Sequence, residues 1–186
     1  MSTNMKALVT LFSMILFFPL NLIVEAQPKA FNYMIFSQTW PPAFCNFAKC
    51  SSPIIHDNFT IHGLWDSYIP WISSPGPCSN TPFDPKLVAP IKSQLDKSWP
   101  NLKNQNQNTI IWAHEWTKHG TCLASVLDQT AYFTRSLHWK NEFDILAIMK
   151  KSGLNPGGSY QENAIKTAIE SQVKSDNSTR VCKQDA

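Results

Sequence analysis

The amino-acid sequence predicts a single α+β domain, and three features carry that expectation. Strand patterns and helical patterns are both present. They succeed one another without the regular alternation of a βαβ layout. The 186 residues suffice for one sizeable core and not comfortably for two.

Taken in order, residues 31–36 are aromatic and apolar and read as a core strand, stopped by Trp40-Pro41-Pro42. A second strand is expected at residues 58–62. There Phe59 and Ile61 face one way and Thr60 and His62 the other, which sets His62 opposite the core residues. Prolines and serines are frequent from Tyr68 to Pro90, and most of this stretch reads as a long loop pinned by Cys78. Residues 90–99 form an amphipathic pattern with Pro90 in the first turn and Pro100 as its stop. After a polar connector, residues 110–112 are expected as a short strand leading into a helix that carries His114 to Cys122. Further helices are expected at residues 129–137, 141–151 and 161–173, with Gly153 ending the second of these.

The N-terminal stretch stands apart from that domain. A largely apolar run from Leu8 to Val24 comes after Lys6 and ends in Val24-Glu25-Ala26, the pattern of a secretory signal peptide cleaved after Ala26. Pro19 and Asn21 interrupt the run, which argues against a membrane anchor. The expected organisation is a signal peptide over residues 1–26 and one secreted, extracellular, monomeric domain over 27–186, off the membrane after cleavage. Removing Lys6 and Glu25 leaves the net charge at +3. A mildly basic surface is compatible with a polyanionic partner without requiring one. In an oxidising compartment Cys45, Cys50, Cys78, Cys122 and Cys182 should pair, and five leaves one over. The triplets beginning at Asn58 and Asn177 are glycosylation sequons that fit a secreted glycoprotein.

The densest chemistry lies in the segment from Trp112 to Cys122. Helical zinc motifs place histidines four apart, whereas His114 and His119 are five apart with Lys118 between them, so a metal site is disfavoured. At about 100° per residue, His114, Lys118, Glu115 and His119 fall at roughly 0°, 40°, 100° and 140°, one sector of a helix. Glu115 and His119 are i,i+4 neighbours there. Such a sector suits phosphoryl chemistry. Histidine moves protons near neutrality, lysine offsets charge building on phosphorus, and a glutamate can hold an imidazole and bias it toward protonation. His62 is a second proton-transfer group. The residues alone leave other readings open: a structural histidine at 62, a charged exposed helical face, and core rather than base-stacking roles for Trp65, Trp112 and Trp116.

Two segments carry a resemblance. Phe59-Thr60-Ile61-His62-Gly63-Leu64-Trp65 and His114-Glu115-Trp116-Thr117-Lys118-His119-Gly120-Thr121-Cys122 resemble the paired active-site signatures of the T-two (T2) class of ribonucleases. Trp40-Pro41-Pro42-Ala43-Phe44-Cys45, Tyr132-Phe133 and Gly153-Leu154-Asn155-Pro156 are similar to other parts of that family. The resemblance implies an antiparallel sheet with packed helices. It also implies cleavage of single-stranded RNA to 2′,3′-cyclic phosphate ends, without metal or cofactor, and no action on DNA. On the same basis His119 is the general base, His62 the general acid, Glu115 and Lys118 stabilise the pentacovalent phosphorus, and His114 binds phosphate. Base selectivity in such enzymes is loose and depends on stacking, for which Trp65 and Trp112 are the candidates.

The family pattern implies the bridges Cys45–Cys50 and Cys78–Cys122, with Cys182 expecting a partner beyond Ala186 and hence an incomplete C-terminus. One departure stands beside the first signature: the family has proline after the tryptophan, and here Asp66 comes after Trp65. Asp66 adds a charge near the cleft without replacing a proposed catalytic group. Within the family the chain most resembles the stylar self-incompatibility ribonucleases (S-RNases), for which pollen F-box proteins are the implied partners. The alternatives are an S-like ribonuclease for phosphate recovery or defence, a catalytically silent glycoprotein on the same scaffold, and a metalloenzyme using His114 and His119.

Overall fold

A computed structural model describes residues 31–68 and 76–172. The expected signal peptide, Asn177 and Cys182 lie outside the described residues. Among these, strand β1 (Tyr33–Thr39) and strand β2 (Thr60–Ser67) form a two-stranded antiparallel sheet against which the helices gather. The fold class is therefore α+β, weighted toward helix.

The register of the sheet decides how His62 is presented. Pairing runs from Tyr33 opposite Ser67 to Ser37 opposite Gly63, then resumes with Gln38 opposite Ile61. His62 is the extra residue at that slip. A β-bulge turns a side chain out of the ordinary two-residue alternation and bends its strand. Strand β2 is thus longer than the expected 58–62, and the exposure of His62 arises from a bulge as well as from the pleat.

Trp40-Pro41-Pro42 does end β1, and it also begins helix α1 (Pro41–Phe47), since proline's fixed φ suits the first helical turn. The helix expected at 90–99 forms from Lys92 onward, and a short helix precedes it within the stretch expected as loop. Helix α2 (Pro85–Val88) starts from the Asp84 cap, a 3₁₀ turn holds Pro90, and helix α3 (Lys92–Ser98) comes next. The missing N–H of Pro90 accounts for that break.

The short strand expected at 110–112 is not formed. Residues 108–115 are helix α4 (Asn108–Glu115), which buries Asn108, Trp112 and Glu115 while Ile110 stays exposed. Positions i, i+4 and i+7 share one helical face, and that burial outweighs the strand preference of two adjacent isoleucines. Trp116–Gly120 continues as a π-helical turn into α5 (Thr121–Leu123).

Helix α6 (Gln129–Glu142), capped by Asp128, runs further than expected. Phe143 breaks it, and Asp144 caps a separate α7 (Ile145–Lys151), so the helix expected from 141 starts later. Helix α8 (Glu162–Gln172) completes the described chain.

The core lies between β2, α3, α4 and α6, around the fully buried Trp99, Trp112, Tyr132, Phe133, Leu64 and Leu95. Hydrogen bonds satisfy the polar ends of these aromatics. Trp112 Nε1 donates to Trp99 O (2.8 Å), Trp99 Nε1 donates to His62 O (3.1 Å), and the Tyr132 hydroxyl donates to Leu64 O (2.9 Å). Both expected bridges are present, Cys45–Cys50 and Cys78–Cys122. The second closes a loop of 44 residues and fastens the chain three positions after His119. Replacing Cys78 and Cys122 together by serine should lower folding stability by about 2–5 kcal/mol, read as an earlier midpoint in urea denaturation.

Candidate active site

The bulge on β2 and the π-turn after α4 supply the two halves of the site. His62 is exposed at the bulge. Helix α4 contributes His114, exposed, and Glu115, buried. The π-turn contributes Lys118, exposed, and His119, only 8% exposed. Such turns insert one residue into the helical ladder and recur at functional sites. Here Gly120 makes the turn compact, because a Cβ on it would strike the Trp116 ring.

Trp65 joins the halves. Its ring centroid lies 5.2 Å from that of His62 and 5.6 Å from that of His119. Its indole Nε1 donates to Glu115 Oε2 at 2.9 Å. The pair fits because residue 63 is glycine: a Cβ there would collide with both Trp65 Nε1 and Glu115 Oε2. Glu115 is thus directed at Trp65 rather than at an imidazole. The imidazole of His119 is held instead by Asp66, with Nδ1 3.2 Å from Oδ1.

Burial sets the protonation balance. Desolvation raises the Glu115 carboxyl above its ordinary range, opposed by the Trp65 hydrogen bond and by the charges of His119 and Lys118. His62 is lowered from its ordinary 6.5, first by desolvation and then by the charge of His119. His114 is lowered by desolvation, then by Lys118 and His119. These mutual influences place His62, His114, Glu115, Lys118 and His119 in one electrostatic neighbourhood. An open cavity of about 250 Å³ adjoins His62, lined among others by Thr39, Phe44, Asn101, Lys103 and Ile111.

Trp112 does not join this site. It has no exposed surface, and its N–H is committed to Trp99. Burying an aromatic of about 200 Å² is worth about 5 kcal/mol, against about 1–3 kcal/mol for stacking one base. The core therefore keeps Trp112, and its expected role as a stacking platform is corrected. Asn58 is half-buried, and its Oδ1 accepts from the buried Lys140 Nζ at 3.2 Å. The contact of Asp66 with His119 has no local signal in the sequence beyond a departure from the family pattern, and the cavity beside His62 has none at all.

A family model described as the Ribonuclease T2 family matches residues 31–186. Ribonuclease 1 of Arabidopsis thaliana is 33% identical over 170 residues, covering 88% of this chain and 74% of that protein. Among solved structures, ribonuclease MC1 from the seeds of bitter gourd is 36% identical with a TM-score of 0.66, covering 74% of this chain and 73% of that one. The gametophytic self-incompatibility associated SF11-RNase of Nicotiana alata is 32% identical with a TM-score of 0.64, covering 76% and 73%.

Gly63→Ala should separate Trp65 from Glu115. The buried carboxylate then loses its indole donor, at a cost of about 1–3 kcal/mol. Thermal denaturation would show the loss, and the Trp65 indole N–H resonance should move upfield.

Proposed function

The chain belongs to the Ribonuclease T2 family and is a ribonuclease, and from that premise we propose that it cleaves single-stranded RNA by transphosphorylation between His62 and His119. The observation that carries the reading is the pair of imidazoles flanking one indole, one exposed at a bulge and one held by a carboxylate. His119 takes the proton of a 2′-hydroxyl, and the freed oxygen bonds to phosphorus. The P–O5′ bond breaks, and His62, entering as imidazolium, gives its proton to the departing O5′. A 2′,3′-cyclic phosphate and a 5′-hydroxyl result. Lys118 and Glu115 stabilise the pentacovalent phosphorus, and His114 holds the phosphate. DNA lacks the nucleophile. Because His62 serves the leaving group, the cavity beside it is suited to the base on the downstream side of the scissile bond.

For the biological role, we infer a secreted, monomeric, glycosylated enzyme acting as an S-RNase with pollen F-box proteins as partners. The signal-peptide pattern, the sequons at Asn58 and Asn177, the +3 charge and the likeness to SF11-RNase support it. The nearly equal identities to SF11-RNase and to Ribonuclease 1, 32% and 33%, keep an S-like role as the second reading.

Purified protein in EDTA should cleave single-stranded RNA to 2′,3′-cyclic ends, and His119→Ala should abolish this, by roughly 10²–10⁴-fold as for loss of a general base. Cleavage surviving the substitution, or lost to the chelator, would sink the reading. The pH profile has a defined sign. His62 must be protonated to act as the acid, and its pKa is lowered from 6.5. In an NMR titration of the imidazole resonances, His62 should therefore show a midpoint below 6.5.

A further inference from the structure

Asp66 is 1% exposed, and its side chain has no accessible surface, yet it carries a carboxylate. A buried charge costs several kcal/mol unless it is paired, and well-packed apolar groups in its place are often neutral or stabilising. Stability alone therefore gives no reason for this residue type, in a position where the family pattern has proline. Its position is set by the sheet, where Asp66 pairs with Met34 near the end of β2. From there Oδ1 lies 3.2 Å from His119 Nδ1. An ionised carboxylate can only accept, and opposite one the ring nitrogen would have to be the donor.

We propose that Asp66 is a positioning residue for His119, fixing the imidazole as the Nδ1–H tautomer so that Nε2 keeps the lone pair that receives the substrate proton. The proposal rests on the reading of His119 as general base. A neutral imidazole has one donor and one acceptor nitrogen, and the partner of one decides the role of the other. When Nε2 takes the 2′-hydroxyl proton the ring becomes cationic, and the buried Asp66 compensates that charge where screening by water is weak. Glu115 lies close enough for its charge to be felt by the same ring, but its indole contact directs it at Trp65. Tyr68, 5% exposed, lies within the influence of the same carboxylate: its hydroxyl is raised by burial and then by the charge of Asp66. The arrangement gives one of the two proton-transfer groups a carboxylate partner and leaves His62, exposed at the bulge, with the Trp65 indole as its ring neighbour.

The test uses the full chain with ¹⁵N-labelled histidine, at a pH where the imidazoles are neutral. Long-range ¹H–¹⁵N spectra should show His119 as the Nδ1–H tautomer. In Asp66→Asn the amide can donate to Nδ1, so the Nε2–H tautomer should take over. In that variant kcat on single-stranded RNA should fall about 10–100-fold, as for loss of other orienting partners, with KM within about twofold. Wild-type His119 found as Nε2–H or as a mixture overturns the proposal, and this measurement stands even if Asp66→Asn does not fold. A folded Asp66→Asn with unchanged kcat overturns it too. Failure of the underlying reading looks different: His119→Ala then remains active, whereas a failure confined to Asp66 leaves His119→Ala inactive beside a fully active Asp66→Asn.

Discussion

Trp99 is the residue on which the geometry of the site hangs. It has no exposed surface, its indole N–H holds the carbonyl of His62, and its own carbonyl receives the indole N–H of Trp112. One buried residue therefore ties the bulged strand that presents one imidazole to the helix that leads to the other. A bulge leaves backbone groups outside the regular ladder, and a buried carbonyl without a donor would cost about as much as a lost hydrogen bond. The core supplies that donor. Packing density makes the arrangement stiff, because large aromatics in contact on several sides have few alternative rotamers to adopt.

Around this frame the polar groups are arranged by burial rather than by simple proximity. Glu115 and Asp66 are both buried next to His119, but each has a separate partner: an indole for the first, an imidazole for the second. Trp65 stays half-buried between the two imidazoles, so its ring shields the site while its N–H holds Glu115 in place. His114 and Lys118 remain exposed, where cations meet a phosphate chain without a large desolvation cost. The division is between a dry interior that orients and a wet rim that binds. The cavity of about 250 Å³ opens on the His62 side of that rim.

Much of this is legible along the chain. The aromatic run that becomes β1, the histidine on a strand, and the one-sided cluster from His114 to His119 are short-range patterns, and such patterns survive into any fold that contains them. The pairing of Cys78 with Cys122 is implied by family resemblance and closes as expected. The elements that differ from expectation do so for a common reason. Ile110 and Ile111 favour a strand locally, but the burial of Trp112 and Glu115 on one face demands a helix. Pro90 sets the start of the helix expected from 90 back to Lys92, and Phe143 sets the one expected from 141 back to Ile145, because periodicity reports which residues are apolar and not where the backbone can continue.

By itself the sequence determined the chemical inventory: two imidazoles, a lysine and a glutamate in signatures that specify a ribonuclease family, with glycine at the two close approaches. Tertiary structure decided which members of that inventory meet. The turning of Trp112 inward depends on how α4 packs against α3 and Trp99. The emergence of His62 at a bulge depends on the register of β2 against β1. The contact between Asp66 and His119 spans 53 positions of chain. Such a contact depends on how distant elements dock, since a buried carboxylate is stable only where packing brings a donor to it.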